Sequence, residues 1–232
     1  MTGPVLELAA ANAVFVASHF AMSHPLRAPM VAQLGPAGFQ LAYTLVSAAA
    51  LAWVYFAFIA APPGDLAGSG LAGSGNLGWA LATGLTVPAM ILFAGSMAGN
   101  PALPTPKAQV QAMAMPQGVL RITRHPMMWG IALWAASHIV LWTSWRTTIT
   151  AASMALLALI GAHLQDRKKR ALMGEAWATW ESRTSYWPQI GGFAHAGAVP
   201  WILGVVLFAG LSWLHAPLAG IQAGIWRWLP IG

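Results

Sequence analysis

Gly38-Phe-Gln-Leu-Ala-Tyr-Thr-Leu-Val-Ser-Ala-Ala-Ala-Leu-Ala-Trp-Val-Tyr-Phe-Ala-Phe-Ile-Ala60 contains no charged side chain. At ~1.5 Å per helical residue, a run of this length crosses the ~30 Å hydrocarbon core of a bilayer. Comparable uncharged runs occupy Pro4–Met22, Leu77–Ala98, Met128–Trp145, Thr147–Leu164 and Gly197–His215, and Glu7 is the one carboxylate among them. The composition agrees. Of 232 residues 58% are apolar and 7% charged, with a mean hydropathy of +0.63, whereas soluble domains carry about 25% charged residues. The chain therefore reads as an all-α polytopic membrane protein, one domain over 1–232 with six transmembrane helices in a single bundle.

The opening Met-Thr-Gly-Pro lacks the positive n-region of a signal peptide, so the first run is expected to be a retained helix. Between the runs lie Ser23–Ala37, the Gly/Ser/Pro-rich connector Ala61–Asn76, a Pro-rich polar stretch Gly99–Arg124 and a long polar segment Gln165–Ala196. No long internal repeat is visible.

Net charge is +6 and the isoelectric point about 10.6, but the basic residues are not spread as a nucleic-acid surface would spread them. Arg27, Lys107, Arg121, Arg124, Arg167, Lys168, Lys169, Arg170 and Arg183 all fall in the first, third and fifth connections; Arg146 and Arg227 fall on the other side. The positive-inside rule makes the odd connections cytoplasmic and both termini periplasmic, in a bacterial inner membrane. The run Asp166-Arg-Lys-Lys-Arg170 then fixes topology against anionic headgroups. Beyond it, Ala171–Arg183 places Trp177 and Trp180 on one face and reads as an amphipathic helix lying on the cytoplasmic surface. Trp79, Trp142, Trp145, Trp201, Trp213, Trp226 and Trp228 stand near run ends, where an interfacial belt places them.

With no cysteine in the chain, thiolate ligation, iron–sulfur clusters and disulfides are excluded. Any metal falls to histidine, carboxylate or neutral oxygen. Polar groups inside a bilayer are costly and become site candidates. His19 lies toward the cytoplasmic end of the first helix, and Asn12, seven residues earlier, shares its face and is placed to orient its ring. His125 stands at the cytoplasmic start of the fourth run, and His138 is ~20 Å further along it. Trp134 precedes His138 by one turn, and the small Gly130, Ala132, Ala135 and Ala136 would let a flat ring approach. Two histidines from different helices can clamp a haem iron from both faces; each taken singly is as readily a polar contact between helices.

The segment Arg124-His-Pro-Met-Met-Trp-Gly-Ile-Ala-Leu-Trp-Ala-Ala-Ser-His138 resembles the signature of the NnrU family, bacterial membrane proteins associated with denitrification genes and similar to the plant zeta-carotene isomerase. Pro25-Leu-Arg27, Leu34-Gly-Pro-Ala-Gly-Phe39, Asp166-Arg-Lys, Gly174, Thr184-Ser185 and Pro188 agree, so that the resemblance covers about 13–193. It implies a haem b site ligated by His19 and His138, with His125 as the alternative partner, and cis–trans isomerisation of an apolar polyene. It assigns no catalytic side chain. Asn12, Trp134, Arg124 and Asp166 are the accompanying cofactor-contact candidates. Arg124-His-Pro with Gly130 is also similar to membrane methyltransferases of isoprenylcysteine and phospholipids, where that turn and a Glu-Glu pair hold S-adenosylmethionine. Here Gln165 and Asp166 stand in the place of that pair, and an Arg124–Asp166 ion pair is the structural alternative. A non-catalytic membrane factor for a respiratory enzyme is the third reading.

Overall fold

The computed structural model describes residues 3–64 and 70–229. Residues 65–69 of the expected connector Ala61–Asn76 lie outside that range, whereas the whole expected first run Pro4–Met22 lies within it. Eight α-helices follow in order: α1 (Gly3–Ser23), α2 (Arg27–Ala60), α3 (Asn76–Gly95), α4 (Ala108–Met113), α5 (Pro126–Leu141), α6 (Trp145–Met173), α7 (Glu175–Arg183) and α8 (Ala198–Ala219). Among the described residues there is no strand.

The protein is an all-α polytopic membrane protein. Five helices (α1, α2, α3, α6 and α8) are long and apolar enough to cross a bilayer. The sixth expected span is shorter than its apolar run. α5 has 16 residues, about 24 Å of rise, and stops at Leu141 because Ser144 starts the next helix. Ser144 Oγ accepts the Thr147 backbone N–H at 3.2 Å, an N-cap that commits Trp142–Ser144 to a tight turn.

Two expected loops are largely helical. After a short turn at His24–Leu26 the chain re-enters α2 at Arg27, ahead of the expected Gly38, with a kink at Gly35 (φ 69°, ψ 171°) directly before Pro36. Pro36 cannot donate to the preceding turn, and glycine is the residue that takes this positive φ without strain. The charged run after Leu164 is likewise a continuation of α6 through 29 residues to Met173. No breaker intervenes until Gly174, at φ 52°, and Lys169 Nζ donates to the carbonyls of Pro101 at 2.6 Å and Leu103 at 3.2 Å.

The amphipathic segment is helical over Glu175–Arg183, but its apolar face meets protein. Trp177 and Trp180 are fully buried with Ala102, Ala112 and Leu120 from the stretch that holds α4. α4 thus supplies the apolar surface that a membrane was expected to supply.

Helix neighbours follow a simple row: α1 packs between α2 and α6, α5 between α6 and α3, and α8 on α3. The core between α1, α2 and α6 is Leu8, Ala11, Phe15, Ala50, Val54 and Ala57. Leu41, Leu45, Phe56, Val205 and Val206 on α2 and α8 stay exposed, as lipid-facing residues of outer helices do. α3 and α5 approach closely at Gly130, where a Cβ would lie 2.8 Å from the Ala89 carbonyl oxygen. The small residues of α5 therefore serve helix packing: Ala135 is fully buried and Ala132 nearly so. Arg146 and Arg227 lie over the rings of Phe58 and Trp79 at 4.5 and 4.7 Å. Trp79, expected as an interfacial anchor, is buried at that contact.

Candidate functional site

Three histidine-centred groups carry the chemistry, and they are separate in space. The first is assembled where the chain enters α5. Residues 122–124 run beside 185–189, joined by Arg124 N–H to the Ser185 carbonyl and Gln189 N–H to the Ile122 carbonyl, both at 2.9 Å. The Thr123 hydroxyl and the Trp129 indole N–H both donate to the Tyr186 carbonyl, at 2.7 and 2.8 Å. This pairing holds Arg124 and His125 over α6, where Asp166 is buried. Arg124 donates through Nε and Nη2 to Asp166 Oδ2 at 3.0 and 2.7 Å, and His125 Nε2–H donates to Oδ1 at 2.8 Å. Glu181 extends the network, 3.4 Å from Arg124 Nη2 and bidentate to Arg170 at 2.6 and 2.7 Å.

Burial of charge demands such partners, because an ionised group out of water and unpaired is strongly unfavourable. Tyr186 closes the group. The Arg124 guanidinium is 5.4 Å from the Tyr186 ring centre, the His125 ring is edge-on at 5.5 Å, and the Tyr186 hydroxyl donates to the Leu159 carbonyl at 3.1 Å. Burial and the nearby Asp166 charge push the Tyr186 phenol above its ordinary value. His125 Nδ1 is buried without a partner. Of the expected site residues, Arg124, His125 and Asp166 are brought together here; the ion pair was legible in the sequence, whereas the Glu181 and Tyr186 contributions were not.

The second group surrounds His19. Its Nδ1–H donates to the Phe15 carbonyl at 2.8 Å, and its ring lies 4.3 Å from Phe15 and 5.5 Å from Tyr43. Asn12 makes its bond elsewhere, donating to the Leu8 carbonyl at 2.9 Å. The Phe15 carbonyl therefore does the orienting expected of Asn12.

The third group lies at the opposite end of the bundle. His138 Nδ1–H donates to the Trp134 carbonyl at 2.8 Å, with the Trp134 ring 4.5 Å away. Its facing partner is His215 of α8, ring centres 6.1 Å apart at 33°. His215 repeats the arrangement, Nδ1–H donating to the Leu211 carbonyl at 2.8 Å. In both rings it is therefore Nδ1 that is committed to the backbone. Ser137 Oγ and Thr86 Oγ1 share a hydrogen bond at 3.0 Å that fixes this part of α5 to α3. His215 was not singled out from sequence, because nothing in the chain reveals that α8 comes to lie beside the end of α5. His19 and His138 share no ring contact, and α6 stands between their helices. Among the described residues no cluster of three or more His, Asp or Glu side chains could hold a metal ion.

The chain is 40% identical over 73 residues to the chloroplastic 15-cis-zeta-carotene isomerase of Zea mays and, over the same length, to that of Arabidopsis thaliana. The similarity covers 31% of this chain and 19% of either relative. No solved structure matches. The family profile described as NnrU protein matches residues 7–223, nearly the whole chain, and on that extent the chain belongs to the NnrU family.

Proposed function

We propose that the protein is an integral-membrane isomerase acting on an extended apolar polyene, with haem b held through His138 and His215. The observation that carries this reading is the facing pair itself. The two ring centres are 6.1 Å apart, with the ring planes inclined at 33°. Both Nδ1–H groups are committed to backbone carbonyls, which fixes the tautomer and leaves each Nε2 lone pair as the donor, as in ligating histidines generally. Neutral imidazole suits haem iron, and His138 and His215 would be the residues that hold the group. When bound, haem would supply the iron at which a double bond is weakened for rotation.

The substrate class comes from the zeta-carotene isomerases that the chain matches in part. Trp134 presents an aromatic face beside His138, suited to a conjugated chain. His19 is the competing donor named by the resemblance, and it too has a free Nε2. We place His215 ahead of it because His138 already faces His215, whereas α6 separates His138 from His19. The Arg124–His125–Asp166 group reads as a structural clamp: Asp166 is occupied by two donors, and Gln165 donates to the Ala102 carbonyl at 3.0 Å. That leaves no acidic pair for S-adenosylmethionine and favours the isomerase over a methyltransferase. No residue of the three groups speaks for nitrite or nitric oxide metabolism, so the denitrification link is set behind the isomerase reading. By the basic-residue asymmetry we place the clamp at the cytoplasmic face of a bacterial inner membrane, with both termini periplasmic.

The test is the visible spectrum of the protein purified in detergent from haem-replete cells. A Soret band lost in His138→Ala and His215→Ala but kept in His19→Ala is expected. Loss in His19→Ala with retention in His215→Ala moves the second ligand to α1, and a colourless wild-type protein overturns haem binding. Pigment chromatography of cells that make a cis polyene, with and without the protein, tests the isomerisation.

A further inference from the structure

A pocket of about 560 Å³ opens between the end of α1 and the charged extension of α6, lined by Phe20, Ala21, His24, Pro25, Leu164, Arg167 and Lys168. Every ionisable group on its wall is basic or an imidazole. Arg27, at the start of α2, lies within electrostatic reach of Lys168. Asp166 on the same helix is engaged with Arg124 and His125, and Glu181 of α7 with Arg170 and Arg124. Among the described residues neither Arg167 nor Lys168 has a carboxylate within 4 Å. Burial, and next the Lys168 charge, hold the His24 imidazole below its ordinary value.

Like charges gathered around a cavity without counter-charge are mutually repulsive, and a bound anion removes that repulsion. The donors differ in shape in a way that suits a tetrahedral oxyanion. A planar guanidinium fork and a compact ammonium approach from α6, and an imidazole N–H from the turn that follows α1. The remaining wall is apolar, and Phe20, Ala21 and Leu164 belong to the lower turns of spans that cross the bilayer. The pocket therefore sits where hydrocarbon gives way to headgroups, and a ligand with a phosphate above and acyl chains below satisfies both parts of its lining.

We propose that this pocket is a binding site for the phosphate of an anionic phospholipid, with Arg167 and Lys168 as its charge contacts and the His24 imidazole as a further hydrogen-bond donor. The site is distinct from the histidine pair at the other end of the bundle and does not depend on haem. It makes the lipid a structural strut between α1 and α6.

Native mass spectrometry of the full chain, titrated with phosphatidylglycerol or phosphatidylcholine, tests the proposal. Wild-type protein is expected to retain phosphatidylglycerol preferentially. Arg167→Gln with Lys168→Gln is expected to weaken that binding about twenty-five-fold, from about fivefold for each cation removed at a membrane surface. Lys107→Gln with Arg121→Gln, which removes the same charge from exposed positions, is expected to leave it unchanged. Ala21→Phe keeps every cation and narrows the pocket at its apolar wall, so it too is expected to weaken lipid binding, and it reports even where the double charge variant folds poorly. Equal loss in the Lys107/Arg121 control, or retention in Ala21→Phe, reduces the effect to diffuse surface charge and overturns the site. Inorganic phosphate binding alone with the affinity of the lipid makes free phosphate the ligand and overturns the lipid assignment.

Discussion

His125 donates through Nε2 to Asp166 Oδ1 at 2.8 Å while Arg124 holds the other carboxylate oxygen at 2.7 Å. One buried carboxylate thus fastens the entry of α5 to the far end of α6, two elements some forty residues apart in the chain. Removing its charge while keeping its shape, Asp166→Asn, leaves the largely buried Arg124 guanidinium with only its longer, 3.4 Å contact to Glu181 as an ion pair. A loss of about 3–5 kcal/mol in stability is expected, read as a lowered thermal midpoint in detergent. Arg124→Met with Asp166→Leu removes both charges together and is expected to lose less than Asp166→Asn alone, since the larger part of the penalty is the orphaned charge.

Trp177 discriminates between a helix docked on protein and one floating on lipid. Its side chain is fully buried against α4 and its flanks, so Trp177→Ala is expected to destabilise the fold by about 3–5 kcal/mol. Faster proteolysis between residues 103 and 117 should accompany it. A variant with unchanged stability and only weaker membrane association would contradict the docking.

Close helix contact is set by glycine at two places. A Cβ on Gly204 would sit 2.6 Å from the Ile91 Cα, and backbone cannot yield as a flexible side chain does. Gly204→Ala is expected to cost about 1–3 kcal/mol. Gly84→Ala on α3, where nothing lies within 4 Å of the added methyl, is expected to be neutral or to stabilise by up to ~1 kcal/mol through helix propensity. Thermal melts of both variants check the contrast.

His24 carries a pH dependence whose sign is determined. Its folded-state value lies below 6.5 through burial first and Lys168 second, with Arg167 sharing the pocket wall and Arg27 close to Lys168. Between the depressed folded value and 6.5 the unfolded chain binds more protons, so stability rises with pH across that window and falls as pH drops through it. His24→Gln should flatten this part of the stability curve. A nuclear magnetic resonance titration placing His24 above 6.5 in lipid-free detergent would contradict the assignment.

How much was legible in the sequence differs between elements for physical reasons. The apolar cores of the spans were plain, because burial in hydrocarbon is a property of composition over ~20 residues and needs no partner. The ends were not. The charged extension of α6 resembles an interfacial stop, yet it stays helical because Asp166 and Lys169 find buried partners. Only Gly174 announced its end in one dimension. The face of α7 was visible as a Trp177–Trp180 stripe, but a stripe does not say whether lipid or protein covers it.

The candidate site divides in the same way. Sequence by itself determined that the protein is helical, that a chain without cysteine offers no thiolate ligand to any metal, and that Arg124 and Asp166 are companions. Only the tertiary structure decided which histidines meet. Ring contacts depend on which helices are neighbours, and apolar helices of similar surface can be ordered in a bundle in many ways. The close approaches at Gly130 and Gly204 choose one order, and that order sets His138 against His215 while α6 stands between His138 and His19.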